Sequence, residues 1–267
     1  MGKLLEVRVL SSAPADVLRS RLLTELGFCH GFNLRTGGTS LPPFESLNLG
    51  RAVGDDPLCV EQNHQRFAVA VGYPLGSLYE ASQVHGSAVC VVDGTAPVAQ
   101  VRTAQADAVV TAASGIGIGV RIADCVPVLL ANSHTGAVAA IHAGWRGTVR
   151  GVVEAGVEAL LARGDGDPRR LKAVIFPHIR RCCFEVGEDV AQELLLASPG
   201  ADVVDRTHPK PHVDLAAIVA GKLSVLGVLA TNIEQVPGCT FCEPARFFSY
   251  RRDGQRTGRH LVAIVSR

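Results

Sequence analysis

The stretch AAIHAGWRG at residues 139–147 brings together a histidine, the only tryptophan of the chain and an arginine. An apolar run precedes these residues, and glycines flank the turn that they form. His142 is therefore a candidate metal ligand or general base. A histidine at the end of a buried strand can equally be a core residue with a satisfied hydrogen bond. The choice between these roles depends on the other side chains that lie near His142.

Two more stretches carry a metal-capable side chain at the end of an apolar run: SQVHGS contains His85, and IADCVP contains Cys125. Two imidazoles and a thiolate suit Zn²⁺, and three protein ligands leave a fourth position for water or substrate. The spacing matches no local zinc-finger pattern. Packing of these residues inside strands remains the alternative, because free cysteine is among the most buried residue types.

Three residues next to these candidate ligands in the sequence can also take part in chemistry or in substrate binding. Asp124 can orient a ligand or carry a proton, although an aspartate at a strand end is often only a turn former. Trp145 can stack on a flat heterocycle or belong to the core. Arg146 can clamp a phosphate or carboxylate, or lie solvated in the first turn of a helix that begins near Gly147.

The charge balance argues against polyanionic partners. Lys and Arg total 26 against 25 for Asp and Glu, a net charge of +1, so we expect neither nucleic acid nor a membrane surface as a partner. The start, MGKLLEVRVL, does not resemble a secretory signal, and the apolar stretch around Cys125 is too interrupted to span a membrane. We therefore expect a cytoplasmic protein.

The eight cysteines are expected to be free thiols in such a compartment. Cys182 and Cys183 would point in opposite directions if they lay on a strand, which argues against a bond between them. The CTFC stretch, Cys239 to Cys242, is a single CxxC pair. Without a second pair it is at best half of a metal site, and a structural role is favoured.

The helices and strands that position these residues are predicted from the periodicity of apolar residues, which indicates an α+β (mixed α/β) chain. A strand is predicted in LLEVRVL, a helix in ADVLRSRLLTELG and, after a long polar loop, a helix capped by Asp56 with Pro57 in its first turn. Short β-branched runs between Leu78 and His142 are typical of closely spaced strands of a buried sheet.

The second half of the sequence begins with a helix predicted after Gly147, followed by a strand in LKAVIF. Helices are then predicted in EDVAQELLLAS and, capped by Asp214, in DLAAIVAGKLSVLG. The C-terminal stretch resembles a hairpin with RRDGQRTG as its loop. No linker or fixed-period repeat interrupts the chain, so one domain over 1–267 is expected.

From about His30 onward, the ordered series HGFNLRTGG, SLNLG, VGDDP, QVHG, ADCVPVLL, AAIHAGWRGT, CCFEVGEDV and FFSYRRDGQRTGR closely resembles the YfiH-type family. This family is also called the laccase-domain or multicopper polyphenol oxidase family. The pairing of ADC with HAGWRG is the most specific part of the resemblance.

The resemblance implies a single domain of mixed β-sheets flanked by helices and a zinc ion on His85, Cys125 and His142. It also implies phosphorolysis of adenosine, inosine and methylthioadenosine, deamination of adenosine, and a link to editing of peptidoglycan precursors. Purine nucleosides and phosphate are thus the expected small-molecule partners. The positions that the resemblance places near the substrate are Asn48, Gln83, Arg146, Arg251 and Arg259.

The chain departs from the family pattern before the Cys-Cys pair. Where relatives read Gly-Pro-x-Ile-Gly-Pro, this sequence reads FPHIRR. Phe176, Arg180 and Arg181 therefore bring side chains to a place usually kept bare, and His178 adds an imidazole there.

Zinc is ranked above copper as the cofactor. Two histidines and a cysteine suit a blue-copper centre, but the usual weak axial methionine is lacking because Met1 is the only methionine. The nine histidines are scattered and include no HxH pair of the kind expected in a laccase.

The leading hypothesis is that zinc acidifies a water for attack on C6 of adenosine, with Asp124 as proton carrier; alternatively, phosphate held by arginines attacks the ribose C1′. A second hypothesis makes Cys125 a nucleophile activated by a histidine in an amide hydrolase that edits peptidoglycan precursors. A polyphenol oxidase and a non-enzymatic metal-binding partner protein are the remaining alternatives, and the oligomeric state is left open.

Overall fold

The computed structural model describes residues 15–198, 200 and 202–267; the strand predicted in LLEVRVL lies outside them. The strands are β1 (Val17–Leu18), β2 (His30–Asn33), β3 (Leu78–Tyr79), β4 (Val89–Val91), β5 (Ala108–Thr111), β6 (Gly117–Ile122), β7 (Val126–Asn132), β8 (Val138–Ala143), β9 (Leu171–Ile175), β10 (Val204–Asp205), β11 (His212–Val213), β12 (Ile233–Gln235) and β13 (His260–Val265). The helices are α1 (Arg21–Glu25), α2 (Pro57–Val71), α3 (Val98–Val101), α4 (Trp145–Val149), α5 (Val152–Leu161), α6 (Glu188–Leu196), α7 (Leu215–Val225) and α8 (Tyr250–Asp253).

The strands of the described residues build two large sheets and one small β10-β11 ribbon. The first sheet has the order β1-β2-β13-β6-β3, and the second has the order β12-β9-β7-β8-β5-β4. Both are mixed: β3 pairs in parallel with β6, and β4 with β5, whereas the central neighbours are antiparallel. The predicted class, mixed β-sheets flanked by helices, is confirmed.

The two sheets pack face to face, and β7 shows how its sequence permits this. Val128 and Leu130 belong to the apolar cluster shared with α5 and α7, whereas Leu129 and Ala131 belong to the cluster between the sheets. Alternate residues of a strand point to opposite faces. Because both faces are covered, the strand reads as a continuous apolar run instead of an alternating one.

Strand β13 of the first sheet is likewise covered by apolar residues on both faces. Val262 and Ile264 face the other sheet, and Leu261 and Ala263 pack against Phe67 on α2. The described chain is thus layered as helices α5 to α7, the β7 sheet, the β13 sheet and helix α2. No helix in this part of the chain is long and apolar enough to cross a bilayer.

Helix ends follow the predicted caps in two places. Asp56 accepts a hydrogen bond from the Leu58 N–H with Pro57 in the first turn, and Asp214 caps α7 by accepting from the Ala217 N–H. The helix predicted after Gly147 differs, because it begins earlier, at Trp145, and is divided in two. Gly151, with φ +87°, separates α4 from α5, and this left-handed conformation is easy only for glycine.

Of three other predictions, two are wrong and one is confirmed only in part. ADVLRSRLLTELG forms the short strand β1 and only five helical residues. The runs between Leu78 and His142 are strands, but they are divided between the two sheets. The C-terminal hairpin is not formed. Ser249 caps the helical turn α8. Strand β13 lies between β2 and β6 in the first sheet and pairs with both.

The premise that Cys182 and Cys183 lie on a strand is also wrong. Both residues lie in a turn, and their Sγ atoms are 3.5 Å apart. A turn does not impose the opposite side-chain directions that a strand would.

Phe176, at which the chain departs from the family pattern, is a core residue. Phe176 is fully buried, and its ring stacks on that of Phe32 at a centroid distance of 5.9 Å and an interplanar angle of 6°. It thus fills the space between the two sheets.

We predict that Phe176→Ala lowers the free energy of unfolding by about 3–5 kcal/mol, because it leaves a cavity between two sheets that cannot easily collapse. Urea denaturation followed by circular dichroism measures this. Leu196→Ala is the control, since Leu196 is 78% exposed and its truncation should change stability by less than about 0.5 kcal/mol. Equal effects of the two substitutions would contradict the packing role of Phe176.

Candidate metal centre and substrate cavity

Three chain connections bring the predicted ligands to one point. His85 lies between β3 and β4, and Cys125 lies between β6 and β7, so both lie where the chain crosses from one sheet to the other. His142 is near the end of β8. The ligand atoms of the three residues all lie within 4.8 Å of one another, and the two imidazole centroids are 4.8 Å apart.

Backbone strain marks this junction. His85 has φ +58° and Asp124 has φ +90°, a region that residues other than glycine seldom adopt and that clusters at functional sites. Asp124 is fixed there because its carboxylate accepts hydrogen bonds from the Thr240 hydroxyl and the Arg251 N–H, both at 2.6 Å. These bonds hold the turn that presents Cys125.

Asp107, which the sequence analysis missed, organises both histidines. Its fully buried carboxylate accepts hydrogen bonds from the backbone N–H groups of Val84, His85 and Gly86 at 3.2, 3.0 and 2.7 Å. It also bonds to Nδ1 of His142 at 2.8 Å, which leaves Nε2 for an ion. Burial works against a charged carboxylate, but the His142 and Gly86 hydrogen bonds outweigh it and lower the pKa of Asp107.

Two glycines of HAGWRG allow the loops to approach one another. A Cβ on Gly144 would lie 2.9 Å from His85 Cδ2 and 3.1 Å from Cys125 Sγ. A Cβ on Gly147 would lie 2.9 Å from the carbonyl oxygen of Gly86. The glycines around His142 therefore keep clear the space in which the ligands meet.

Cys125 and His142 shift each other's pKa in opposite directions. Burial would raise the pKa of the Cys125 thiol, but the charge and hydrogen bond of His142, assisted by His85, lower it to about 6. Burial would lower the pKa of His142, but the Cys125 thiolate and Asp107 raise it to about 9. The lowered pKa of Cys125 favours the thiolate, which is the form that ligates metals and acts as a nucleophile.

The donor set fits a zinc ion. Two imidazoles and a thiolate converge, and three ligands leave a fourth position open. The Nδ1 bond from His142 to Asp107 is the support that a metal-ligating histidine ordinarily has. An apolar packing role for the three residues, the alternative left open above, does not explain a buried carboxylate that orients two of them.

A cavity of about 690 Å³ opens directly over these side chains, within the size range of small-molecule sites. Most of the charged side chains that line the cavity are arginines, and Asp124 is the one acidic residue among the described residues that line it. The arginines that line it are Arg51, Arg121, Arg146, Arg251 and Arg259.

The residues predicted to contact substrate through the HAGWRG motif line this cavity. Trp145 is half-buried, and the Arg146 guanidinium stacks 4.3 Å above the centre of its ring. Gln83 also lines the wall, but its amide is engaged: it donates to the carbonyl of Arg121 at 2.7 Å and accepts from the Arg121 N–H at 2.8 Å. Gln83 therefore fixes Arg121 in place.

The other predicted substrate residues divide into lining and supporting positions. Arg251 and Arg259 line the cavity, and burial lowers the pKa of Arg259. Asn48 is fully buried and not part of the wall; its Oδ1 accepts from the N–H groups of Gly50 and Arg259, each at 2.8 Å. It positions two residues of the wall.

None of the departures in FPHIRR reaches the cavity wall. His178 is buried, and its Nδ1 bonds to the Phe176 carbonyl at 2.8 Å. Arg180 is exposed, and Arg181 pairs with Asp202 at 3.5 Å. These replacements therefore contribute no side chain to the wall of the cavity.

Arg51, Arg121 and Tyr250 line the cavity but were not found by the sequence reasoning. Arg51 directly follows the SLNLG motif and Tyr250 lies within SYRR, so proximity to those motifs is the signal that could have identified them. Asp107 has no such signal, because a lone aspartate before a strand is usually a turn residue.

Comparisons with known proteins identify the family of the chain. Residues 29–267 match the family model described as multi-copper polyphenol oxidoreductase laccase. A purine nucleoside phosphorylase of Streptomyces coelicolor is 44% identical over 86% of this chain and 91% of its own length. Adenosine deaminase RL5, from an unknown prokaryotic organism, is 37% identical over 83% of this chain and 87% of its own length.

Solved structures show the same architecture. The crystal structure of YlmD from Geobacillus stearothermophilus superposes with a TM-score of 0.87 at 32% identity, covering 94% of this chain and 96% of that one. YfiH of Bacillus licheniformis gives a TM-score of 0.87 at 29% identity over 96% and 97%. The chain belongs to the multi-copper polyphenol oxidoreductase laccase family, whose solved members include proteins named YfiH and YlmD.

Proposed function

We propose that this chain is a zinc-dependent enzyme of purine nucleosides, which cleaves their glycosidic bond with phosphate and deaminates adenosine. The observation that carries the proposal is that His85, Cys125 and His142 converge at a cavity whose wall is rich in arginine. Relatives named purine nucleoside phosphorylase and adenosine deaminase support the same substrate class.

Zinc is the ion that we assign to the three ligands. When bound, it supplies Lewis-acid polarisation of an oxygen at the open position. The family description names copper. The group contains two histidines and one cysteine, which is fewer histidines than a multicopper cluster needs. The one methionine of the sequence is Met1, so no methionine of the described residues can be the usual axial ligand of a blue-copper site.

The arginines of the wall bind phosphate in the proposed phosphorolysis. Guanidinium groups form bidentate, charge-assisted hydrogen bonds with phosphate oxygens. A phosphate oxygen forms a bond to C1′ of the ribose while the bond from C1′ to N9 breaks, and the departing purine takes the electron pair and a proton. Arg146 is our candidate for the main phosphate contact, because it lies next to Trp145 and close in sequence to His142.

Trp145 and Tyr250 bind the flat purine in this proposal. Both line the cavity, and Tyr250 is 47% exposed, so an aromatic face is accessible to a ligand. In deamination, water adds to C6 of the same ring and ammonia leaves. Aromatic stacking does not distinguish adenine from hypoxanthine, so the proposed site would accept more than one nucleoside.

Asp124, the predicted proton carrier, has a positioning role in our proposal. Each of its carboxylate oxygens accepts a short hydrogen bond from another segment. These bonds maintain the left-handed backbone next to Cys125. Asp124 thereby ties the metal-ligand turn to the segment that carries Arg251.

A thiol hydrolase is the second candidate, and one observation favours it. Cys125, His142 and Asp107 stand in the order of nucleophile, base and orienting carboxylate, the arrangement by which cysteine hydrolases activate their thiol. The same contacts serve a metal-ligating thiolate, so inhibition by a chelator separates the two.

We predict that the purified protein converts adenosine to adenine only when phosphate is present and to inosine in its absence. Chromatography of the products measures both reactions. Cys125→Ser should lose the bound zinc of this centre and at least about 100-fold of both activities, the loss expected when a ligand and its charge are removed. A zinc-free Cys125→Ser protein that retains full activity would refute the metal mechanism, and amide hydrolysis that survives a chelator but not iodoacetamide would favour the thiol hydrolase.

The substitution Asp107→Asn tests whether the Asp107 carboxylate holds His85 and His142 in position to bind zinc. We predict a zinc affinity lower by about 10- to 100-fold, the usual cost of losing a carboxylate behind a metal-ligating histidine. Competition with a chromophoric chelator measures the affinity. Asp93→Asn is the matched control, since Asp93 is an exposed aspartate that caps only its own turn at Thr95, and it should bind zinc like the natural protein. An unchanged affinity in Asp107→Asn would remove Asp107 from the centre.

Arg146→Gln tests the phosphate contact. Loss of a charge-assisted hydrogen bond should raise KM for phosphate by about 10- to 100-fold and leave deamination, which uses no phosphate, within about threefold. Arg163→Gln, at an exposed arginine beyond α5, is the control. If both activities fell together in Arg146→Gln, the arginine would act on the fold or the nucleoside instead of on phosphate.

A further inference from the structure

A second cluster of metal-capable side chains lies outside the centre described above. The cysteines of CTFC meet the adjacent pair of the 182–183 turn, and one sulfur from each residue lies within 4.8 Å of all the others. We call this the four-cysteine cluster; its members are Cys182, Cys183, Cys239 and Cys242. The CTFC stretch, which looked like half of a metal site, therefore has its second pair.

The distances between the sulfur atoms are those of ligands around one ion. Cys182 Sγ lies 3.9 Å from Cys239 Sγ and 3.7 Å from Cys242 Sγ. Cys183 Sγ lies 3.5 Å from Cys182 Sγ and 3.1 Å from Cys242 Sγ. Thiolates at about 2.3 Å from a tetrahedral zinc are about 3.8 Å apart, whereas a disulfide requires about 2.05 Å.

We propose that the four-cysteine cluster binds one structural zinc ion. The set is Cys₄, a composition typical of closed zinc sites without an open position. Soft thiolate donors without any carboxylate select zinc over magnesium or calcium. Cys182 and Cys242 are exposed, so the ion can enter from solvent.

The surroundings of Cys239 agree with this assignment. Cys239 is buried. Its backbone N–H donates to the Glu243 carboxylate at 2.7 Å, and its carbonyl accepts from the Glu243 N–H at 3.2 Å. The position of one member of the cluster is thus fixed by the chain itself.

The site would join two segments that stand behind the cavity. Thr240, inside CTFC, donates its hydroxyl to Asp124 and its N–H to the His178 carbonyl at 3.0 Å. Arg252 donates to the carbonyls of Thr240 and Phe241 at 2.7 and 3.0 Å. An ion that fixes CTFC to the 182–183 turn therefore also fixes Asp124, which holds the turn of Cys125.

Elemental analysis of the full-length protein, purified under reducing conditions with zinc, tests the proposal. We expect two zinc ions per chain in the natural protein, one in Cys242→Ser, one in Cys125→Ser and none in the double variant. Cys29→Ser, at an exposed cysteine outside both groups, should retain two. Because the two single variants lose different ions, failure of this proposal is distinguishable from failure of the proposed function.

Two further measurements cover the case in which Cys242→Ser folds poorly. Cys242→His should restore the second ion, because Cys₃His is also a common structural zinc set. The natural protein loaded with Co²⁺ should show intense thiolate-to-cobalt charge transfer that remains in Cys125→Ser. The proposal is overturned if Cys242→Ser binds as much zinc as the natural protein, or if intact mass shows that two of these cysteines form a disulfide.

Discussion

The buried carboxylate of Asp107 is the interaction on which the rest of the centre depends. It takes hydrogen bonds from three successive N–H groups of the His85 loop and from the His142 ring. A charged carboxylate this deeply buried would be costly without such partners. By satisfying it, the protein makes the positions of two ligands mutually dependent: the His85 loop cannot move without exposing the charge that also orients His142.

The two-sheet architecture explains why the centre lies where it does. A chain that crosses between sheets must leave regular hydrogen bonding, and the residues at the crossing are free to adopt the left-handed conformations of His85 and Asp124. The sheets on either side are packed face to face, so both ends of each crossing are anchored in the core. Gly144 and Gly147 then let a helix start almost in contact with the ligands.

Much of the fold followed from local patterns, but the site did so only in part. Caps such as Asp56 and Asp214 and the apolar runs of β7 and β8 are local, and they predicted their elements correctly. The division of strands between two sheets depends on tertiary pairing, which has no local signature. His85, Cys125 and His142 were recognised by residue type and family resemblance, whereas Asp107 and the four-cysteine cluster were not, because only the folded chain brings their partners from distant segments.

The charge state of Cys125 and His142 connects the two candidate chemistries of the centre. The lowered pKa of Cys125 favours its thiolate, and the raised pKa of His142 favours its protonated ring, so a metal ion that binds both would displace a proton from His142. As pH falls toward the pKa of Cys125, the thiolate is lost and metal binding weakens. The same thiolate would be a nucleophile if no ion were bound. One sulfur with a lowered pKa would therefore suit either proposed chemistry, and the presence of a metal ion on His85, Cys125 and His142 would decide between them.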